Sequence, residues 1–261
     1  MIKTIPSYTP ETMLLILLVV GHVFADFLIQ TEYVATHKGQ RLAVLVRHGW
    51  LTILTQCVFL LPFFNLVVLV CMVGLGIVHI LFDAIRAKLF EPRWGRPLLS
   101  FLLDQILHGI TLVVAWRLLL SAGVHSGEPF LVPADWLLLL TAGTLVAAGY
   151  VFNGSGGTMV VRKLLERYPQ FLPATPAENQ TAGGKLDCYA MGRTIGCLER
   201  YLIYTLVLLG QWGALGFVLA AKSIARFKEF ENQAFADYYL IGTLASVLVA
   251  VATGLVVRSV I

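Results

Sequence analysis

The sequence predicts an all-α, polytopic transmembrane helix bundle, and three observations carry that prediction. Of 261 residues, 58% are hydrophobic and only 13% charged, where soluble domains carry about 25% charged residues. The mean hydropathy is +0.80. The apolar residues gather into runs of about 17–25, the length that spans a bilayer, and the charges fall between the runs or at their ends.

Eight such runs follow one another, roughly at 12–30, 42–62, 65–89, 98–120, 132–152, 194–211, 213–228 and 236–258. The first is long, lacks a small-residue cleavage site and carries His22 and Asp26, so it reads as a retained helix rather than a leader. The second and third are joined only by Leu61-Pro62-Phe63-Phe64-Asn65, a tight turn. The seventh is short and opens on Gly210-Gln211-Trp212-Gly213. It either crosses or re-enters, and re-entrant backbone is tolerated only where protein or a cavity covers it.

Basic residues orient the chain, because Lys and Arg concentrate in cytoplasmic loops. With the N-terminus outside and eight crossings, 16 of the 19 Lys and Arg residues fall on the cytoplasmic side, leaving Lys3, Arg117 and Arg258. With seven crossings, Lys222, Arg226 and Lys228 lose that agreement. The count therefore favours eight. The expected localisation is the bacterial inner (cytoplasmic) membrane, multi-pass. The formal charge of +4 belongs to this loop asymmetry and gives no reason to expect nucleic acid.

Two modules are expected. Residues 1–121 form a four-helix transmembrane module, and 122–261 a C-terminal module with a long cytoplasmic loop over 153–193. That loop starts with Asn153-Gly-Ser-Gly-Gly157, continues as the amphipathic Met159–Tyr168, which suits the membrane surface, and ends in a Pro-, Ala-, Gln- and Gly-rich stretch from Pro169 to Gly184 that reads as flexible. The glycines before a helix suggest an anion cradle, although no Gly-Lys-Ser/Thr follows. The four cysteines, Cys57, Cys71, Cys188 and Cys197, include no closely spaced pair of the metal or redox kind.

The chemistry is expected in the first module. His22 and Asp26 lie four residues apart with Gln30 four further on, which places all three on one α-helical face. The spacing recurs as His79-x-x-x-Asp83 and, reversed, as Asp104-x-x-x-His108, and His48 lies in the first two turns of the second run. The topology sets all of them at one depth in the cytoplasmic half of the bilayer. Ionisable side chains cost about 2.5–3.5 kcal/mol each at a helix centre, and helix packing alone does not require them. A single pair reads as interhelical glue; three pairs and a histidine at one level read as a site. Imidazole and carboxylate are ligands for zinc, manganese or iron. The expected metal ligands are His22, Asp26, His79, Asp83 and His108, with Asp104 and His48 as acid/base groups.

In the second module, Arg193, Glu199, Arg200, Lys222 and Arg226 fall at the cytoplasmic ends of their runs. Such arginines commonly snorkel; the sharper expectation is a pocket for an anionic lipid headgroup or a phosphate-containing substrate. Oligomeric state is not legible in the sequence.

Gly21-His22-x-x-Ala25-Asp26-Phe27-x-x-Gln30-Thr31, the downstream Lys38 and His48, and His79-x-x-x-Asp83 together resemble a bacterial membrane family known as domain of unknown function 3307, over roughly residues 12–120. The segments Gly192-Arg193-x-Ile195-Gly196-x-x-Glu199-Arg200, Ala221-Lys222-Ser223-x-x-Arg226-Phe227 and Tyr238-Tyr239-x-x-Gly242-Thr243 resemble the extension of its longer members. The resemblance implies marked positions but no reaction. The leading expectation is a metal-dependent membrane hydrolase or transferase acting on a lipid-linked or amphiphilic substrate. The alternatives are a proton- or divalent-cation-coupled transporter or channel, and a non-catalytic membrane partner that docks through the long connection.

Overall fold

The computed structural model describes residues 8–90, 97–124, 133–166 and 183–261, and these are helical with no strand among them. The helices are α1 (Pro10–Phe24), α2 (Glu32–His37), α3 (Leu42–Phe59), α4 (Leu66–Ile85), α5 (Pro97–Ser121), α6 (Ala134–Val151), α7 (Gly157–Leu165), α8 (Gly183–Leu208), α9 (Trp212–Ala225) and α10 (Gln233–Val260). Three π-helical turns interrupt or extend them, at Ala25–Ile29, Arg86–Phe90 and Phe152–Gly156. The chain divides into two compact units, Met1–Val151 with Ile261, and Phe152–Val260. Helix α6 falls in the first unit, where it packs along α1.

Among the described residues, six stretches are long and apolar enough to cross a membrane: Pro10–Ile29, Leu42–Phe59, Leu66–Lys88, Pro97–Ser121, Asp135–Leu165 and Phe235–Val260. The sixth and seventh expected segments are not among them. Helix α9 has 14 residues and reaches about 21 Å at 1.5 Å per residue, short of a hydrocarbon core of about 30 Å. Helix α8 is long but carries charge along its first half.

The glycine-rich connection departs from expectation. Asn153–Gly157, read as a loop, is helical: Phe152–Gly156 forms a π turn that runs into α7. The expected loop over 153–193 is thus helical at its start and, in α8, at its end. Most of the Pro169–Gly184 stretch lies outside the described residues.

In the first unit, apolar and polar layers separate along the helix axes. One end is an apolar core of Met13, Leu14, Leu17 and Leu18 from α1, Val68 and Met72 from α4, and Leu112 and Leu119 from α5. Outward faces are apolar too: Trp50, Leu54 and Val58 on α3, Val70 and Ile77 on α4, and Ile106, Ile110 and Leu118 on α5 are all exposed. Their spacing of one or two helical turns marks one face of each helix. His48, His79, Asp83, Asp104 and His108 on these helices are instead buried, with Arg47 and Arg117 left exposed, an inside-out arrangement compatible with membrane insertion.

Helices α3 and α4 approach closely because each offers a glycine to the other's isoleucine. A Cβ on Gly49 would overlap the Ile80 side chain, and one on Gly76 would overlap Ile53. Gly49 immediately follows His48 and Ile80 immediately follows His79, so this interlock fixes His48 and His79 face to face. Helix α5 ends at Gly123, whose φ of 78° allows the chain to turn while Val124 N–H donates to Leu119 O, the glycine C-cap arrangement.

In the second unit, α10 packs along α8 and α7, with α9 against α8. Ile203, Val207 and Ala250 form its apolar centre.

Candidate metal centre

Four helices of the first unit bring their polar residues to one end of the bundle. Helix α1 supplies His22, the π turn after it Asp26, α3 His48, α4 His79 and Asp83, and α5 Asp104 and His108; all seven are buried. The sequence reading placed them at one level, and the structure brings them together.

The π turn shapes the first wall. Ala25–Ile29 closes with Gln30 N–H donating to Ala25 O at 3.1 Å, so the ring holds one residue more than an α turn. Such widened turns recur at functional sites. Gln30 then turns extended, with ψ of 105°, instead of continuing the His22–Asp26 face as a regular helix predicts. Its side chain accepts a hydrogen bond from Lys38 at 3.0 Å.

At the centre, His48 Nε2 and His79 Nε2 lie 3.0 Å apart. A carboxylate oxygen flanks this pair on each side. Asp83 Oδ2 is 3.6 Å from His48 Nε2 and 3.4 Å from His79 Nε2. Asp26 Oδ1 is 3.5 and 3.6 Å from the same two atoms. Zinc bonds of 2.0–2.1 Å in tetrahedral geometry set ligand atoms about 3.3 Å apart. Both triangles that share the His48–His79 edge therefore have the dimensions of one face of such a site. The combinations His48, His79, Asp83 and His22, Asp26, His79 each place three potential ligand atoms within 4.8 Å of one another. Asp26 Oδ1 has no hydrogen-bond partner.

His22 Nε2 lies 3.8 Å from Asp26 Oδ2, and its ring stacks on His108 at 5.1 Å between centroids. His108 in turn packs edge-on against His79 at 4.3 Å. Its Nδ1 is 2.7 Å from Asp104 O; a carbonyl only accepts, so His108 carries its proton on Nδ1.

Two cations complete the surroundings, and neither was expected in the site. Lys38, buried just after α2, donates to Asp83 Oδ2 at 2.8 Å and stands 2.7 Å from its Oδ1. Gly39 seats it, for a Cβ there would meet Ala87 Cβ at 2.8 Å. Arg86 lies 3.6 Å from Asp83 Oδ1 and 3.4 Å from Asp104 Oδ1. The sequence offered one sign of Lys38, its place in the Gln30-Thr31…Lys38 pattern, and one of Arg86, its i+3 position after Asp83. His48, expected as an acid/base group, stands among the potential ligands; Asp104 is turned toward Arg86 and its own helix.

The second unit uses its charged residues differently. Arg200 is buried, and its guanidinium turns inward: Nε donates to Asn153 O at 2.5 Å, Nη2 to Gly154 O at 3.3 Å and Thr158 Oγ1 at 2.5 Å, and Nη1 to Ser246 Oγ at 3.2 Å. It satisfies main-chain carbonyls that the π turn leaves without their usual partners. A Cβ on Gly157 would lie 2.8 Å from Arg200 Nε, so glycine is needed for the approach. Glu199 pairs with Lys222, which also lies over the Tyr239 ring at 5.2 Å. Arg226 pairs with Glu229 at 2.9 Å on the surface, and Arg193 is exposed. The five residues expected in one basic pocket thus fall into an inward scaffold arginine, a half-buried ion pair and surface positions.

Residues 14–136 match the model of a family described as Protein of unknown function (DUF3307). The DUF3307 match takes in the whole His/Asp site with Lys38 and Arg86, and agrees with the resemblance read from Gly21–Thr31, Lys38, His48 and His79–Asp83. It ends before the second unit. No curated protein and no solved structure matches the chain.

Proposed function

We propose that this protein is a metal-dependent membrane enzyme whose ion is held between His48 and His79, with the carboxylates of Asp26 and Asp83 on either flank. The observation that carries the reading is the pair of ligand triangles with edges of 3.0 to 3.6 Å around His48 and His79. The two imidazoles with either one of the carboxylates make three ligands and leave a further coordination position open, the pattern of catalytic rather than structural sites. A divalent ion there supplies a Lewis acid and an activated water. Lys38 and Arg86 offset the negative charge of Asp83 and hold the carboxylate in place, as outer-shell partners do. Zinc, manganese or iron fits the donor set.

The substrate class follows from the setting. The site lies at one end of helices whose outer faces are apolar, which suits hydrolysis or group transfer on a lipid-linked or amphiphilic molecule. In this reading the chain sits in the bacterial cytoplasmic membrane with its N-terminus outside. The apolar end of α8 brings the crossings to seven, and the short α9, with the bilayer thinned around it, to eight, as the 16 of 19 basic residues on one side favour. Arg193, Lys222 and Arg226 face an anionic headgroup or phosphate, with Glu199 holding Lys222.

Elemental analysis of the purified chain tests the metal. Expected is a stoichiometric divalent ion that is lost in His48→Ala and His79→Ala, and a thermal stability that chelators lower. No retained ion and no chelator effect would end the reading.

One observation favours a second reading, passage of protons or divalent cations. The imidazoles form a buried series, with centroids 5.1 Å from His22 to His108, 4.3 Å from His108 to His79 and 5.1 Å from His79 to His48. It predicts flux in proteoliposomes that His22→Ala and Asp26→Asn abolish. Ion retention without flux leaves the enzyme.

A further inference from the structure

Two imidazoles stand outside both triangles at the His48–His79 edge, and their arrangement has its own logic. His22 and His108 come from α1 and α5, are both buried, and stack at 5.1 Å with their planes 20° apart. The Nε2 atom of each has no hydrogen-bond partner. For His108 the proton is committed to Nδ1 by the bond to Asp104 O at 2.7 Å, so Nε2 presents a lone pair with nothing to receive. A buried ring nitrogen without a partner is an unfavourable arrangement, and two of them side by side call for a shared partner, which a metal ion is once both present lone pairs.

Asp26 lies between these imidazoles and the first pair. Its Oδ1 faces His48 and His79 at 3.5 and 3.6 Å, while its Oδ2 is 3.8 Å from His22 Nε2. One oxygen is thus turned to each side, the disposition of a bridging carboxylate. The π turn at Ala25–Ile29 is what sets the carboxylate between α1 and the α3–α4 interlock.

We propose a second metal position in the same site, bridged to the first by Asp26 and held by His22 and His108. This rests on the metal reading of the His48–His79 pair and extends it from one ion to two. Two imidazoles and one carboxylate form a ligand set that leaves several positions open. Paired ions about 3.5–4 Å apart clamp both the attacking and the leaving oxygen of a displacement. A phosphoester or phosphoanhydride is the substrate class that such a pair serves. The second ion also explains why α1 and α5 each carry a histidine into a layer where α3 and α4 already supply two.

The test is a Mn(II) titration of the purified full chain in detergent, with bound metal counted by elemental analysis and the pair read by electron paramagnetic resonance. Expected are two ions per chain with an exchange-coupled signal in the wild type. His22→Ala and His108→Ala should each retain one ion, with an uncoupled signal. If either alanine variant does not yield folded protein, His22→Gln and His108→Gln replace it, and the wild-type count stands by itself. One ion in the wild type, unchanged in both variants, overturns the second position and leaves the first intact. Two ions retained in His22→Ala and His108→Ala place the second ion elsewhere and equally overturn it. No ion in the wild type overturns both.

Discussion

His48 and His79 meet Nε2 to Nε2 at 3.0 Å across a helix crossing whose closeness is set one residue away, where Gly49 receives Ile80, and about one turn further along, where Gly76 receives Ile53. With no ion between them, one nitrogen donates its proton to the other. With an ion between them, both present lone pairs. The helix contact and the chemistry therefore share one geometric cause: residues with no side chain beside residues that carry the ligands.

That coupling predicts the outcome of filling the notch. Gly49→Val places carbon where the Ile80 side chain sits, and the helices must separate. Overpacking of this kind costs about 1–3 kcal/mol, which lowers the thermal midpoint in detergent. Retained metal should fall with it, although no ligand is changed. Elemental analysis of Gly49→Val beside an Ile80→Ala, Gly49→Val double variant checks this, since the second change restores space and should recover the ion.

Lys38 gives a prediction of a different kind. Its ammonium neutralises Asp83 from 2.7 and 2.8 Å, with both groups buried. Lys38→Met leaves the carboxylate without that partner, and removing one member of a buried pair costs about 3–5 kcal/mol. A divalent ion at the site replaces the lost positive charge. Thermal unfolding of Lys38→Met should thus show a large loss in chelator and a partial recovery with added Zn(II) or Mn(II). The wild type should gain less from the same addition.

The carboxylates separate by role. Asp26→Asn removes the charge of a carboxylate whose unpartnered Oδ1 faces the His48–His79 pair, and should abolish retained metal with little loss of stability. Asp104→Asn weakens the link to Arg86 at 3.4 Å and should lower stability while the ion stays. Metal counts and melting curves on the two variants together distinguish ligand from support.

Much of this site was legible because its residues are out of place. A histidine and an aspartate a turn apart in an apolar run stand against the cost of burial, and the repeated spacing on three helices marks a shared level. Lys38 and Arg86 were not legible for the opposite reason: a basic residue just past a span is what topology alone provides, and only packing shows that these two turn inward. The same ambiguity hid the role of Arg200, which a sequence reading sends to an interfacial headgroup. Asn153–Gly157 has loop composition, but Arg200 and the close approach at Gly157 hold it helical. Gln30 missed its predicted face because one extra residue in a π turn shifts everything after it, and no propensity announces that residue.

Arg200 offers the cleanest separation of scaffold from site. Its guanidinium reaches Asn153 O, Gly154 O, Thr158 Oγ1 and Ser246 Oγ from one position, and a lysine offers neither the reach nor the fork. Arg200→Lys leaves at least one buried acceptor unsatisfied, at about 1–3 kcal/mol each. The expected result is faster amide exchange over residues 153–165 and 240–250. Metal content should not change, because every candidate ligand lies in the other compact unit. Gly157→Ala, which drives a methyl toward Arg200 Nε, should reproduce the exchange pattern without touching the arginine. If Arg200→Lys instead leaves exchange unaltered and weakens retention of anionic lipid, Arg200 belongs to a headgroup pocket and its inward bonds are incidental.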